Sequence, residues 1–303
     1  MPSVHRCPGA PGLPALAAAL LSVAAPTLRP RPALAQQAQN PSPMVEHTRA
    51  HPRLAESRPP GRREGLELGT LFVPERLASK AGQEATLPLL VVFHSGTWVP
   101  EVAGETVGTA VVGVQIAAGS SGYAAAVADP GRFPSLLEEA ERKAAVRFRP
   151  VTLAGWSAGC GAVRELLRQP GSVSRVDRVL AIDGIHTDYV DGRPGPLESR
   201  LETAKLAPWL AFAREAVAGR KELLVVHTEI FPGTFASTTE TADWLVGALG
   251  LRRRAVARWG PMGTVVLSDT RAGRLRIEGY AGNSAPDHVD LLHALPDLLR
   301  PAE

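Results

Sequence analysis

The residues best suited to chemistry in this chain are Gly155-Trp156-Ser157-Ala158-Gly159, a serine flanked by small side chains. A hydroxyl is a weak nucleophile unless a base can take its proton and donors can stabilise the charge that develops on the substrate oxygen. A sharp turn from strand to helix meets the second need. Such a turn pushes the serine backbone toward strained dihedrals, for which only small neighbours leave room, here Gly155, Gly159 and Gly161. The helix N-terminus then presents free N–H groups and the positive end of its dipole to an oxyanion. Taken alone the pentapeptide is weak evidence, since roughly 0.15 are expected by chance in a chain of this composition. Its setting adds more, because the apolar run Val151-Thr-Leu-Ala154 precedes it and the amphipathic stretch Gly161-Ala-Val-Arg-Glu-Leu-Leu-Arg168 follows it.

The elements that must position this serine repeat the same alternation. Leu66–Val73 has strand-type spacing and stops at Pro74. Leu87–Phe93, Ala110–Ile116, Val179–Ile182 and Glu222–Val226 are short, Val-rich and almost wholly apolar, as strands are when both faces of a parallel sheet are covered. Between them, Ser135–Phe148 carries Leu137, Ala140, Ala144 and Phe148 three or four apart, which predicts one helix face. Gly161–Arg168 ends at Gln169-Pro170-Gly171, and Thr238–Leu249 ends at Gly250. Alternating strands and helices predict an α/β fold, a mostly parallel sheet with helices on both faces.

With the pentapeptide in this setting, residues 66–300 resemble the α/β-hydrolase superfamily in their order of elements. The resemblance implies a catalytic triad in the chain order nucleophile, acid, histidine, with Ser157 first. It implies His288 as the base, on the polar loop Gly279–Asp290 after a last strand near Arg274–Glu278; His293, inside Leu291–Leu295, reads as packed or on a helix surface. For the acid it offers Asp183 in Ala181-Ile-Asp-Gly184 first and Glu229 in His227-Thr-Glu-Ile-Phe second, with Glu240 and Asp243 behind them. The oxyanion donors implied are the backbone N–H of Ala158 and one from the loop His94-Ser-Gly-Thr-Trp98, at Ser95 or Gly96. His94 reads as structural there, and Cys160 as packing beneath the site. The function implied is cleavage of an ester through an acyl-enzyme on Ser157. A non-catalytic ligand-binding protein and a peptidase or amidase on the same scaffold are the alternatives.

Other chemistry finds little support. His186, Asp188, Asp191 and His227 lack metal-ligand spacing, and no phosphate-loop or dinucleotide fingerprint stands at a strand–helix junction, so no metal or cofactor is expected. Residues 1–35 begin with His5 and Arg6, continue through the apolar stretch Leu13–Ala25 and end in Ala33-Leu-Ala35, which reads as an export signal cut after Ala35. That predicts a secreted or periplasmic protein. Residues 36–65 read as a linker or irregular segment, and the resemblance implies an α/β-hydrolase domain over 66–303. The whole chain carries 33 basic and 30 acidic residues. Without Arg6, Arg29 and Arg31 the charge is balanced, so the basic isoelectric point does not imply nucleic acid. Arg252-Arg-Arg254 with Arg258 reads as a solvated helix end. No run is apolar and long enough for stable membrane insertion. Residues 184–221, with Trp209 and Phe212, and 230–240 are expected as loops or lids over the catalytic edge, admitting a small-molecule or acyl-ester substrate.

Overall fold

A computed structural model describes residues 50–78, 86–116, 119–192 and 200–300; the expected export signal and most of the expected linker lie outside them. The strands are β1 (Gly61–Gly65), β2 (Thr70–Pro74), β3 (Thr86–Phe93), β4 (Ala110–Val114), β5 (Arg147–Trp156), β6 (Arg178–Ile182), β7 (Glu222–His227), β8 (Arg254–Trp259), β9 (Val265–Ala272) and β10 (Leu275–Tyr280). They form a 10-stranded sheet in the order β1-β2-β4-β3-β5-β6-β7-β10-β9-β8. The run from β4 to β10 is parallel, and antiparallel strands close both sides. The helices are α1 (Glu75–Ala78), α2 (Trp98–Val107), α3 (Ser120–Ala126), α4 (Arg132–Ala144), α5 (Cys160–Leu167), α6 (Pro170–Arg175), α7 (Ala207–Val217), α8 (Thr238–Ala248), α9 (Ala285–His293) and α10 (Leu295–Leu299).

The near-continuous apolar runs are explained by the two cores. Successive side chains of a strand point to opposite faces. In β3, Leu89, Val91 and Phe93 pack with Tyr123, Phe133, Leu137, Leu166 and Phe212 on one face. Leu90 and Val92 pack with Val99, Ala103, Leu291, Leu295 and Leu298 on the other. A strand covered on both sides has no polar face to alternate with.

Several elements differ from the sequence reading. Gly61–Gly65, within the stretch expected as a linker or irregular segment, form β1 and pair antiparallel with β2. Upstream, Arg53 and His51 reach Asp290 at 2.9 and 2.8 Å, and the Leu54 amide donates to His293 Nδ1. Phe148 is not on the helix of Leu137, Ala140 and Ala144: the chain turns at Ala145, with φ 56°, and Phe148 is a buried residue of β5. The arginine cluster is not a solvated helix end. Arg254 and Arg258 lie on the edge strand β8 and pair with the buried carboxylates Asp269 and Glu278, while Arg253 bonds Asp243, His227 and Ser268. Trp209 and Phe212 are core residues of α7 at 1% and 2% exposure, so they form no lid. No helix among the described residues is long and apolar enough to cross a membrane.

Candidate active site

Ser157 follows β5 directly and opens the turn that leads into α5, with φ at 51°. A non-glycine residue in this region is strained and persists only where its surroundings over-determine it. Here the neighbours do so by leaving no space. A Cβ on Gly159 would lie 2.1 Å from the Phe93 carbonyl oxygen, and one on Gly155 would lie 2.8 Å from the Cys160 nitrogen. A Cβ on Gly161 would lie 2.1 Å from the Ser120 oxygen. The sequence reading did not single out Gly184, yet a Cβ there would meet the Ser157 oxygen at 2.3 Å and Cys160 Sγ at 2.6 Å. Cys160 is buried, donates to the Gly155 carbonyl at 3.1 Å, and burial pushes its thiol pKa up, so it packs beneath the turn.

Asp183 lies at the end of β6, 3% exposed and itself at positive φ. Its Oδ2 accepts from His288 Nδ1 at 2.7 Å and from Thr228 Oγ1 at 2.7 Å. Its Oδ1 accepts from the Thr228 amide at 2.9 Å and Thr238 Oγ1 at 2.7 Å. Burial raises the carboxyl pKa, but the His288 hydrogen bond and charge, the Thr228 amide and the Thr238 hydroxyl together bring it below the usual carboxylate value. A carboxylate held ionised in this way suits a partner that becomes cationic.

His288 lies in the first turn of α9 and not on a loop before it. Its ring stacks on Trp156, with centroids 4.7 Å apart, and Trp156 in turn stacks on His94 at 5.3 Å. Trp156 Nε1 also donates to the His288 carbonyl at 3.1 Å. Ser157, Asp183 and His288 line one cavity of about 330 Å³ together with His186, Ile230, Pro232, Phe235 and Thr238. The Ser157 hydroxyl makes no hydrogen bond among the described residues.

A strained serine at a strand-to-helix turn, followed in the chain by buried Asp183 and then by His288 bonded to it, stands at the carboxyl edge of a mostly parallel sheet covered by helices. The fold is that of an α/β-hydrolase.

The remaining expected residues fall into two groups. The oxyanion candidates adjoin the turn at Ser157: Ala158 stands in the first helical turn, where amides lack intrahelical partners. Among the described residues the Ser95 amide donates to no protein group, whereas that of Gly96 donates to Gln115 Oε1 at 3.2 Å. His94 bonds Tyr123 at 3.1 Å and has a lowered pKa, first from burial and then from the charge of His288. The other acid candidates are spent elsewhere. Glu229 is exposed and receives the Gly282 amide, Glu240 caps α8 and accepts from Tyr189, and Asp243 pairs with Arg253. His293 packs against Trp98 and accepts from Leu54. His227 is buried against Arg253 Nη1 at 2.9 Å, its pKa lowered to about 4 by burial and that cation. Among the described residues the one group of three His, Cys or carboxylate side chains close enough to share a metal ion is His51 with Asp287 and Asp290, where Arg53 already pairs with Asp290.

Sequence reasoning missed Thr228, Thr238 and the role of Trp156. A Thr directly after β7 and a Thr opening α8 carry no motif; only the fold brings both to Asp183.

No family model and no curated protein matches the chain. Among solved structures this α/β-hydrolase fold is similar to a glucuronoyl esterase from Solibacter usitatus, at 12% identity and a TM-score of 0.42 over 75% of this chain and 76% of that one. It is similar to siderophore hydrolase EstB from Aspergillus nidulans, at 12% identity and a TM-score of 0.44 over 83% and 99%. It is also similar to a puromycin-hydrolyzing peptidase from Mycobacterium tuberculosis, at 11% identity and a TM-score of 0.40 over 78% of this chain. In that last case the chain spans only 38% of the other protein.

Proposed function

We propose that this protein is an exported serine hydrolase that cleaves a carboxylic ester through an acyl-enzyme on Ser157. The observation that carries the reading is the 2.7 Å bond from His288 Nδ1 to buried Asp183, at a cavity that also holds the strained Ser157. With Nδ1–H donating to Asp183, the Nε2 of a neutral His288 carries the lone pair that a general base needs. Ser157 Oγ attacks the ester carbonyl carbon and gives its proton to Nε2. The amides of Ala158 and Ser95 receive the developing oxyanion. As the tetrahedral intermediate collapses the carbon–alkoxy bond breaks, and His288 returns the proton to the departing alcohol. Water then repeats the sequence on the acyl-serine and releases the acid. Asp183 stays ionised throughout and stabilises the imidazolium.

A non-catalytic ligand-binding protein is the second reading, favoured by the unbonded Ser157 hydroxyl. In unliganded enzymes this contact is often loose and tightens when substrate is bound. A fluorophosphonate probe decides between the two. Labelling of the wild type that is lost in Ser157→Ala and falls sharply in His288→Ala supports the hydrolase. A folded wild type that resists the probe and turns over no activated ester supports the binding protein. Parallel assays with matched esters and amides separate an esterase from an amidase. N-terminal sequencing of the exported protein tests cleavage after Ala35.

A further inference from the structure

Ser157 opens onto two spaces of different chemistry. The cavity that contains His288 is walled by Ile230, Pro232, Phe235 and Ala285 and is largely apolar. A second cavity, about 470 Å³, also begins at Ser157 and is lined by Ala158, Ser120, Ser121, Arg164, His186 and Lys205, with Asp188 at its edge. His186 and Phe235 form the wall common to both.

The cations of the second cavity are not equivalent. Lys205 is neutralised by Asp188 and by Glu202 at 3.4 Å. Arg164, half-buried on α5, has no ion-pair or hydrogen-bond partner among the described residues. It follows Gly161 by three residues, which puts it on the helix face against which Ser120 packs. Its charge is felt inside the site, where burial, the charge of His288 and that of Arg164 lower the His186 pKa to about 4 despite the opposing charge of Asp183. His186 is therefore neutral at neutral pH, and its buried Nδ1 has no hydrogen-bond partner among the described residues. A guanidinium stays charged under all ordinary conditions, so leaving it half-buried and unpaired costs solvation that an anionic occupant offsets.

The two lobes also assign the halves of the ester. The leaving oxygen takes its proton from His288, so the alcohol lies in the apolar lobe that contains His288. The acyl group then points into the lobe of Ala158 and Arg164. We propose that Arg164 forms a carboxylate subsite and that the substrate is an ester whose acid half carries a second, free carboxylate, with an apolar alcohol. One unpaired cation matches one negative charge, and the planar guanidinium fork matches a carboxylate. This inference rests on the serine-hydrolase reading.

The test compares 4-nitrophenyl hydrogen adipate, its neutral methyl ester and 4-carboxyphenyl hexanoate, which carries the anion on the alcohol. Fluorophosphonate labelling of each protein reports separately whether the serine is active. The expected result is a kcat/KM for the hydrogen adipate at least about tenfold above that for its methyl ester, as a charged hydrogen bond gives. In Arg164→Gln this ratio falls toward one, and Arg164→Lys restores part of it. Equal rates for the two adipates in a protein that labels overturn the subsite while the hydrolase reading stands. So does a preference that survives in Arg164→Gln. Faster turnover of 4-carboxyphenyl hexanoate than of the hydrogen adipate overturns the assignment of the acyl half. A folded protein with neither labelling nor turnover overturns both readings.

Discussion

Trp156 holds His288 from two directions: its indole lies against the imidazole at 4.7 Å, and its Nε1 donates to the His288 carbonyl at 3.1 Å. The residue immediately before Ser157 therefore sets both the ring plane and the backbone position of His288. Trp156→Phe keeps an aromatic face and loses the hydrogen bond, and is expected to lower kcat about threefold to tenfold. Trp156→Ala loses both and is expected to lower kcat by roughly 10- to 100-fold, because the base is no longer held in its reactive orientation. Steady-state kinetics on one activated ester check this. A loss that falls wholly on KM would assign Trp156 to substrate binding.

Asp183 is the candidate acid whose carboxylate reaches His288. Asp183→Asn preserves the size of the side chain but removes the charge that stabilises imidazolium, so kcat is expected to fall about 10³- to 10⁴-fold. Glu229→Gln, which alters an exposed carboxylate that accepts from the Gly282 amide, is expected to stay within about twofold of wild type. A reversal of these two effects would move the acid to Glu229.

Stability is expected to rise with pH between about 4 and 6.5. His186 and His227 both have folded pKa values lowered to about 4, mainly by burial, against an ordinary value near 6.5. In that window the unfolded chain binds protons that the folded chain does not, so acidification favours unfolding. For His227, which is 3% exposed, the effect amounts to about 3 kcal/mol across the window. Asp183 adds to the loss in more acid solution, since a lowered carboxylate pKa stabilises the fold above the unfolded value and ceases to do so as it is protonated. Thermal melts from pH 4 to 7 measure the slope. His227→Gln, which keeps an acceptor for Arg253, is expected to flatten it, and an unchanged slope would show that His227 titrates alike in both states.

The tightness of the elbow can be tested by a single methyl group. Gly184→Ala places a Cβ against Ser157 backbone atoms at 2.3 and 2.9 Å. The expected loss is about 1–3 kcal/mol, with Tm lowered by roughly 3–10 °C and slower fluorophosphonate labelling, because Ser157 must move. Gly171→Ala, where a Cβ would meet nothing within 4 Å, is the matched control and is expected to melt at or slightly above wild type. Equal melting of the two variants would show that the turn at Ser157 is not held by its neighbours.

Much of the centre of this fold was legible along the chain, because each central strand and helix announces itself locally. A strand buried on both faces must be an apolar run, and a turn with no room for a Cβ must be glycine. That is why β3, β5, β6 and β7 and the Gly155–Gly159 turn stand out. The edges were not legible. Strand β8, Arg254–Trp259, is exposed over nearly its whole length and joins the sheet through backbone pairing with β9, so its side chains follow no apolar period. Phe148 kept the helical spacing of Leu137 and Ala144 because the first residues of β5 pack into the same core.

The sequence by itself determined the serine, its cramped turn and the alternation of strands and helices around it, since these depend on neighbours a few residues away. Tertiary structure alone decided which candidate carboxylate meets His288. Asp183 and Glu229 both follow apolar strands, but Asp183 ends in a buried cleft where Thr228 just after β7, Thr238 of α8 and His288 of α9 converge. Glu229 ends in solvent. A carboxylate becomes useful to a base by losing water and gaining donors, and those donors lie 45, 55 and 105 residues away along the chain.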